Sequence, residues 1–186
     1  MKSELPVVYT VGHSTRDLRT FLDLLQSHGI KQLVDVRTVP RSRRNPQFNA
    51  DELPGLLRAV GIRYVHLAAL GGLRHPARES VNPGWHNASF RGFADHMQGL
   101  EFKKGLERLT KLASARPTAI MCAEAVPWRC HRSLIADALT VRGLRVAHIF
   151  TAHRAQEHRL TPFARVEGLT ITYPEDSSED VSMNHS

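Results

Sequence analysis

A short apolar stretch followed by an amphipathic helix recurs along this chain, and that alternation limits the fold more than any other feature. Val7 to Val11 predicts a β-strand, and Leu33 to Val36 predicts a second one. Between them Ser14 and Asp17 have the spacing of a capping box, and Gly29 marks the end of the helix. The apolar face of that helix consists of Leu18, Phe21, Leu22 and Leu25. Residues 7–37 are therefore expected to form a βαβ unit with a parallel pair of strands and a right-handed crossover.

Elements of the same kind continue along the chain. The pattern predicts further strands at 62–67, 118–122 and 145–150 and a small edge strand at 169–173. It predicts helices that run from Glu52 or Leu53 to residue 60 and over 90–98, 101–115 and 129–142. Residues 68–89 are expected to be a long irregular segment, and 151–168 a polar segment with room for one helical turn. This alternation predicts a three-layer, Rossmann-like α/β domain with a mostly parallel sheet of about five strands and helices on both faces. We expect one domain over 1–173 and a disordered acidic tail over 174–186.

The composition excludes several classes of protein. No run approaches the ~18 apolar residues of a membrane span, and the N-terminus lacks the apolar stretch of a signal peptide. We therefore expect a cytoplasmic protein without a membrane partner, in which Cys122 and Cys130 are reduced. The net charge of +7 comes mainly from arginine, which suits paired hydrogen bonds to phosphate or carboxylate. This charge fits an anionic partner, although genomic base composition also produces arginine-rich chains.

Reactive side chains follow the predicted strands. In an open α/β sheet, ligands bind beyond the carboxyl ends of the strands, near the point where the strand order reverses. The residues at or near those ends are His13, Asp35, Arg37, His66, Cys122, Glu124 and His148. We expect them to face one edge of the sheet and to form one site there. Taken singly, each of them also has an ordinary structural explanation, such as an ion pair between Asp35 and Arg37.

The segment from Cys122 to Arg132 is the densest in reactive groups, and it allows three interpretations. The first is an anion site at the start of a helix expected near Pro127 or Trp128, where the helix dipole would also lower the pKa of the Cys130 thiol. In this interpretation the anion-binding residues are Arg37, Arg41, Arg129 and Arg132. A cysteine phosphatase is not expected, because the spacing from Cys122 to Arg129 is one residue too long for its loop.

The second interpretation is a metal site, and the third is purely structural. Thiolate and imidazole ligands suit zinc or iron, and the candidate ligands are Cys122, Cys130, His131 and His66. In the structural interpretation Cys122 packs in the core, Glu124 pairs with Arg129 or Arg132, and Cys130 is a small helix residue. The sequence leaves these three interpretations open.

Several short segments together resemble the family called domain of unknown function 488. They are Val11 to Thr15, Asp35 to Arg37 with Pro40 and Ser42, Gly61 to Leu67 with Leu70 to Gly72, Phe90 to Ala94 with Met97, and Cys122 to Glu124 with Pro127 and Cys130 to Arg132. The resemblance spans about residues 8–150 and implies a fold and a site, but no reaction. It implies that the signature residues of the family are His13, Asp35, Arg37, Glu124, Cys130, His131 and Arg132. Phe93 stands where relatives commonly have tyrosine, so no catalytic phenol is expected there.

These observations favour an enzyme or ligand-binding domain that acts on an anionic small molecule, such as a nucleotide or a modified base, as a hydrolase or transferase. The candidate catalytic residues are His13, Asp35, Glu124, Cys130 and His131. Of these, His13, Glu124 and His131 would move protons, and Cys130 would be a nucleophile or a metal ligand. Trp85, in the irregular segment 68–89, could close over a bound base or sugar. Phe90 and Phe93 lie in the helix that follows and are expected to pack it against the sheet. The alternative is a non-catalytic nucleic-acid-binding protein that uses the basic loop 37–44.

Overall fold

A six-stranded sheet with helices on both faces organises the computed structural model, which describes residues 6–175. The strands are β1 (Val7–Gly12), β2 (Gln32–Asp35), β3 (Arg63–His66), β4 (Thr118–Cys122), β5 (Arg145–Thr151), β6 (Arg154–Glu157), β7 (Arg165–Glu167) and β8 (Thr170–Thr172). The α-helices are α1 (Leu18–Ser27), α2 (Leu53–Ala59), α3 (Ala88–His96), α4 (Leu100–Ala115) and α5 (Arg132–Val141). The Rossmann-like α/β fold expected from the sequence is therefore confirmed. Within the described range, no helix has the length and apolar character that crossing a membrane requires.

The strand order is β3-β2-β4-β1-β5-β6, with β1 to β5 parallel and β6 antiparallel to β5. The expectation that β1 and β2 pair directly is wrong, because β4 lies between them and pairs with both. The reason is visible in β4 itself: all five of its residues are buried, which suits the centre of a sheet rather than an edge. The crossover through α1 therefore passes over one strand.

Alternate residues of the central strands supply two separate cores, one on each face of the sheet. Leu33 and Met121 face a cluster with α1 and α2, whereas Val34 and Ile120 face a cluster with α3, α4 and α5. The chain therefore leaves β1 and β2 toward one face and leaves β4 toward the other. This divergence opens a crevice at the carboxyl ends of β1, β4 and β2, which is where α/β sheets bind ligands.

Several local expectations need correction. Asp17 caps α1 alone, because its carboxylate accepts from Thr20 N at 2.8 Å, and no capping box with Ser14 forms. Pro127–Arg129 is a separate 3-10 turn, so the helix expected from there begins only at Arg132. Residues 151–168 contain β6 and β7 rather than a helical turn. The strand expected at 169–173 is β8, but it pairs with β7 in a separate two-stranded sheet rather than at the edge of the large one. The tail expected from 174 lies, from residue 176 onward, outside the described residues.

The carboxylate of Asp137 ties the segment after β6 to helix α5. Asp137 is fully buried, and it accepts hydrogen bonds from His158 Nε2 at 2.7 Å, from Thr161 N at 3.0 Å and Oγ1 at 2.7 Å, and from Tyr173 OH at 2.8 Å. A buried carboxylate is tolerated only when hydrogen bonds of this kind replace its water. Asp137 is therefore a main anchor of the irregular chain after residue 157, in addition to hydrogen bonds such as that from Gln98 Nε2 to Ile171 O.

We expect Asp137→Ala to lower the free energy of unfolding by at least about 3 kcal/mol, because it leaves several buried donors without an acceptor. Tyr173→Phe removes only one of the bonds and should cost about 1–2 kcal/mol. Urea unfolding followed by circular dichroism measures both variants. Equal and small losses would show that this carboxylate does not hold the segment.

Candidate functional site

A cavity of about 390 Å³ opens at the carboxyl ends of β1, β2 and β4. Its polar wall includes Cys122, Cys130 and His131, and its apolar wall is formed by Val39, Leu73 and Phe90. The other residues that line it and matter below are His13, Arg37, Arg41, Gly72, Glu124 and Arg129. The size is that of sites for small organic molecules.

Backbone contacts bring the ends of β1 and β4 together beneath this cavity. His13 N donates to Cys122 O at 3.0 Å, and Ser14 N donates to Ala123 O at 2.9 Å. A Cβ at Gly12 would overlap the backbone oxygen of Glu124, so only glycine allows this approach. Ser14 has a φ of 49°, a left-handed conformation that is uncommon for a residue with a side chain. The segments that follow β1 and β4 are therefore held against each other by backbone contacts that require glycine at position 12.

Arg132, in the first turn of α5, is completely buried and holds the loop after β4 from inside. Its Nη1 donates to Cys122 Sγ at 2.7 Å and to Glu124 O, and its Nη2 donates to Ala125 O at 2.9 Å. None of the ion pairs formed within residues 6–175 gives this guanidinium a carboxylate partner. A buried charge requires compensation, and the nearest group that can become anionic is the thiol of Cys122.

The two cysteines form a close pair with opposite pKa changes. The thiol of Cys130 donates to Cys122 Sγ, and the two sulfur atoms are 2.6 Å apart. Burial raises the pKa of Cys122, but the hydrogen bond from Cys130 and the charge of Arg132 outweigh it and bring the pKa to about 7. Burial and the neighbouring Cys122 raise the pKa of Cys130 well above its ordinary value. The expectation of a lowered pKa at Cys130 is therefore wrong, since α5 starts beyond it and the arginine serves Cys122 instead.

His131 lies beside Cys130 with one nitrogen available. Its Nε2 donates to Val36 O at 2.8 Å, which leaves Nδ1 as an acceptor 3.5 Å from Cys130 Sγ. Burial lowers the pKa of His131 to about 4, so the ring is neutral at pH 7. A Cβ at Gly72 would overlap this ring. His131 is thus fixed as a neutral base at the wall of the cavity.

A second network at the end of β2 fixes Arg37. Asp35 is fully buried and binds Arg37 with two hydrogen bonds, of 2.9 Å from Nε and 2.7 Å from Nη2, while Tyr64 OH donates to the same carboxylate at 2.6 Å. His13 donates from Nδ1 to Ser14 O, and its Nε2 accepts from Arg37 Nη1 at 3.3 Å. Burial and then the charge of Arg37 lower the pKa of His13. Asp35 and His13 therefore hold Arg37 at the cavity, and neither has a free proton-transfer atom directed into it.

The proposed metal ligands do not come together, and two of the strand-end histidines lie away from the cavity. Among residues 6–175 no three His, Cys, Asp or Glu side chains are placed to hold a metal ion, so the set of Cys122, Cys130, His131 and His66 does not form one. His66 Nε2 is bonded to Arg37 O instead. His148 lies on a second cavity, between Thr10 and His158, because β5 continues three residues beyond it.

The remaining candidates are divided between the cavity and its surroundings. Glu124, Arg41 and Arg129 are exposed and line the cavity, and the Glu124 carboxylate forms no ion pair with Arg129 or Arg132. Phe93 packs in the core as expected. Phe90 packs against the core as expected and also lines the cavity, whereas Trp85 stacks on Phe90 and lines the second cavity.

Sequence reasoning missed Cys122 as a candidate nucleophile and considered it only as a metal ligand or a core residue. The available signal was its position as the last residue of a central strand, ten residues before an arginine in a helix. That signal is weak, because the intervening loop has to fold back before Arg132 reaches the sulfur. Thr38 and Ser89, which also line the cavity, carried no recognisable signal, whereas Ser42 belongs to one of the segments that resemble the family.

Comparisons with known proteins agree with the resemblance described above. The family model described as Domain of unknown function DUF488 matches residues 17–139. No curated protein and no solved structure matches the chain. The matched range includes β2, β4, both cysteines and Arg132, but it begins after His13.

We expect the alkylation rate of Cys122 to rise with pH to a half-maximum near pH 7, because Arg132 and Cys130 stabilise its thiolate. Arg132→Gln should move this midpoint upward and lower the rate at pH 7 about tenfold. Arg132→Lys keeps the charge and should move it less. The measurement is iodoacetamide labelling of Cys122 across pH, read by peptide mass, on variants whose circular dichroism matches the parent. A midpoint near that of a free thiol, unchanged in Arg132→Gln, would refute the assignment.

Proposed function

Because the chain belongs to the family Domain of unknown function DUF488, whose description contains no activity, we propose a function from the site itself: an enzyme that binds an anionic small molecule in the cavity and attacks it with the thiolate of Cys122. The nucleophile is thus Cys122 rather than Cys130. A reducing cytoplasmic location belongs to the proposal, since it keeps the thiol available.

The observation that carries this proposal is the contact of 2.7 Å between Arg132 Nη1 and Cys122 Sγ. A cysteine that only fills the core needs no cation, and burying a guanidinium without a carboxylate is costly unless another anion is present. A thiolate with a pKa of about 7 is a strong nucleophile near neutral pH. Its position on a ligand-sized cavity gives that nucleophile a substrate site.

The charge distribution of the cavity supports an anionic substrate. Arg37 is neutralised by Asp35, whereas Arg41 and Arg129 are exposed and line the cavity. Their fork of N–H donors suits a phosphate or carboxylate group. The apolar part of the lining includes Phe90, an aromatic side chain of the kind on which bases stack. A nucleotide or a modified base combines these two properties, and we propose that class as substrate.

The proposed reaction is a covalent displacement. The Cys122 thiolate attacks the electrophilic centre of the bound molecule, and the leaving group departs with a proton from the Cys130 thiol. In the second step the exposed carboxylate of Glu124 activates the water or acceptor that releases the product, and the proton removed from that molecule passes to the Cys130 thiolate and restores its thiol. Transfer to water makes the enzyme a hydrolase, and transfer to another acceptor makes it a transferase.

We expect members of a panel of nucleotides and phosphorylated metabolites to raise the melting temperature, because a ligand that binds only the folded state stabilises it. Arg41→Ala with Arg129→Ala should weaken that binding about tenfold or more, since each arginine loses a charged hydrogen bond. Cys122→Ser should keep the binding and abolish product formation, measured by chromatography.

Arg43 and Arg44 provide the matched control, because they are exposed in the same basic loop but do not line the cavity. Replacing both by alanine should leave small-ligand binding intact. A non-catalytic nucleic-acid-binding protein would instead lose affinity in both double variants, with a steep dependence on salt. That result, together with a panel that produces no shift, would overturn the proposal.

A further inference from the structure

We propose that Cys122 and Cys130 form a redox-active dithiol, in which a peroxide that enters the cavity oxidises Cys122 and Cys130 then closes a disulfide with it. This inference deepens the proposed function, because it uses the same sulfur atom, but it requires no knowledge of the substrate. It assigns a resolving role to a cysteine that the displacement reaction uses only as a proton donor.

The first support is the approach of the two sulfur atoms. They are 2.6 Å apart, and the two cysteines are separated by eight positions in the sequence. A disulfide bond is about 2.05 Å long. Closing the bond therefore requires a small local movement rather than a rearrangement of β4 and α5. Both cysteines are free thiols and both line the cavity, so an oxidant of small size reaches the pair from solvent.

The second support is the division of roles between the two thiols. An oxidant is attacked by a thiolate, and Arg132 makes Cys122 the better thiolate of the two. A resolving thiol stays protonated until it attacks, and burial together with Cys122 keeps Cys130 in that state. This asymmetry of one activated and one protonated sulfur is what oxidation in two steps requires.

The chemistry balances in two steps. The Cys122 thiolate attacks one oxygen of hydrogen peroxide, the O–O bond breaks, and Cys122 becomes a sulfenic acid while the second oxygen leaves as hydroxide, which takes up a proton to become water. Cys130 then attacks the sulfenic sulfur, the S–S bond forms, and the hydroxyl group leaves as water with the proton of the Cys130 thiol. His131 Nδ1, 3.5 Å from Cys130 Sγ, can relay that proton. Overall two thiols are oxidised and one peroxide is reduced to two waters.

The disulfide has a consequence for Arg132. Oxidation removes the thiolate that compensates the buried guanidinium, which leaves its charge with only the carbonyl oxygens of Glu124 and Ala125 as partners. The dithiol is therefore stabilised relative to the disulfide, and the disulfide should be readily reduced by small thiols. The oxidised form also lacks the nucleophile of the proposed reaction, so oxidation would stop that reaction reversibly.

The test treats the reduced full-length protein with hydrogen peroxide and maps its peptides by mass without reduction. We expect a Cys122–Cys130 disulfide that forms within one chain and disappears on addition of dithiothreitol or glutathione. Cys130→Ser should stop at a sulfenic acid on Cys122 that dimedone traps. Cys122→Ser should react with peroxide at least about tenfold more slowly, since the remaining thiol is largely protonated at pH 7.

The outcomes separate this inference from the proposed function. If peroxide leaves both thiols free, or if only disulfides between chains appear, the dithiol proposal fails even when Cys122 is alkylated with a midpoint near pH 7 and the proposed function stands. If the disulfide forms but no anionic ligand binds, the dithiol proposal stands and the proposed enzyme does not. Over-oxidation of Cys122 in the parent without a disulfide would also overturn the resolving role of Cys130.

Discussion

A buried positive charge organises the carboxyl end of the sheet. Arg132 is inaccessible to solvent, and its two terminal nitrogens donate to two backbone carbonyls of the loop after β4 and to the sulfur of Cys122. This one side chain therefore folds the loop back over the strand end and determines the ionisation of the cysteine beneath it. The shape of the cavity and the reactivity of its wall have the same origin, since moving the arginine would change both.

The two other buried polar networks act as supports for this arrangement. The ion pair of Asp35 and Arg37 uses the carboxylate fully, so Arg37 lines the cavity as a fixed and largely neutralised group. Asp137 binds the chain after β6 and, through His158, the ring of His148, which keeps that histidine on a different cavity. Both networks contain residues of the types expected in active sites, and in both the hydrogen bonds leave little capacity for chemistry.

Much of the fold was predictable because it follows from periodicity. The predicted bounds of β4 agree with the structure, and the glycines expected to terminate three helices, Gly29, Gly61 and Gly143, lie just beyond the ends of α1, α2 and α5 with positive φ. The adjacency of β1 and β2 was predicted wrongly, because a local βαβ pattern contains no information on whether a later strand will insert between its strands. The strand β6 was missed because its four residues are all exposed and carry no apolar signal.

Local pattern was enough to locate most strands and helices, and short motifs were enough to identify the family to which the chain belongs. The packing of the chain, in contrast, is needed to know which polar residues share a cavity, that Cys122 rather than Cys130 has the lowered pKa, and that the cysteines and histidines proposed as metal ligands do not come together as one. The physical reason is that ionisation and ligation depend on distances of a few ångströms between side chains far apart in the chain. Here one arginine, placed by the packing of α5, makes that choice between two neighbouring thiols.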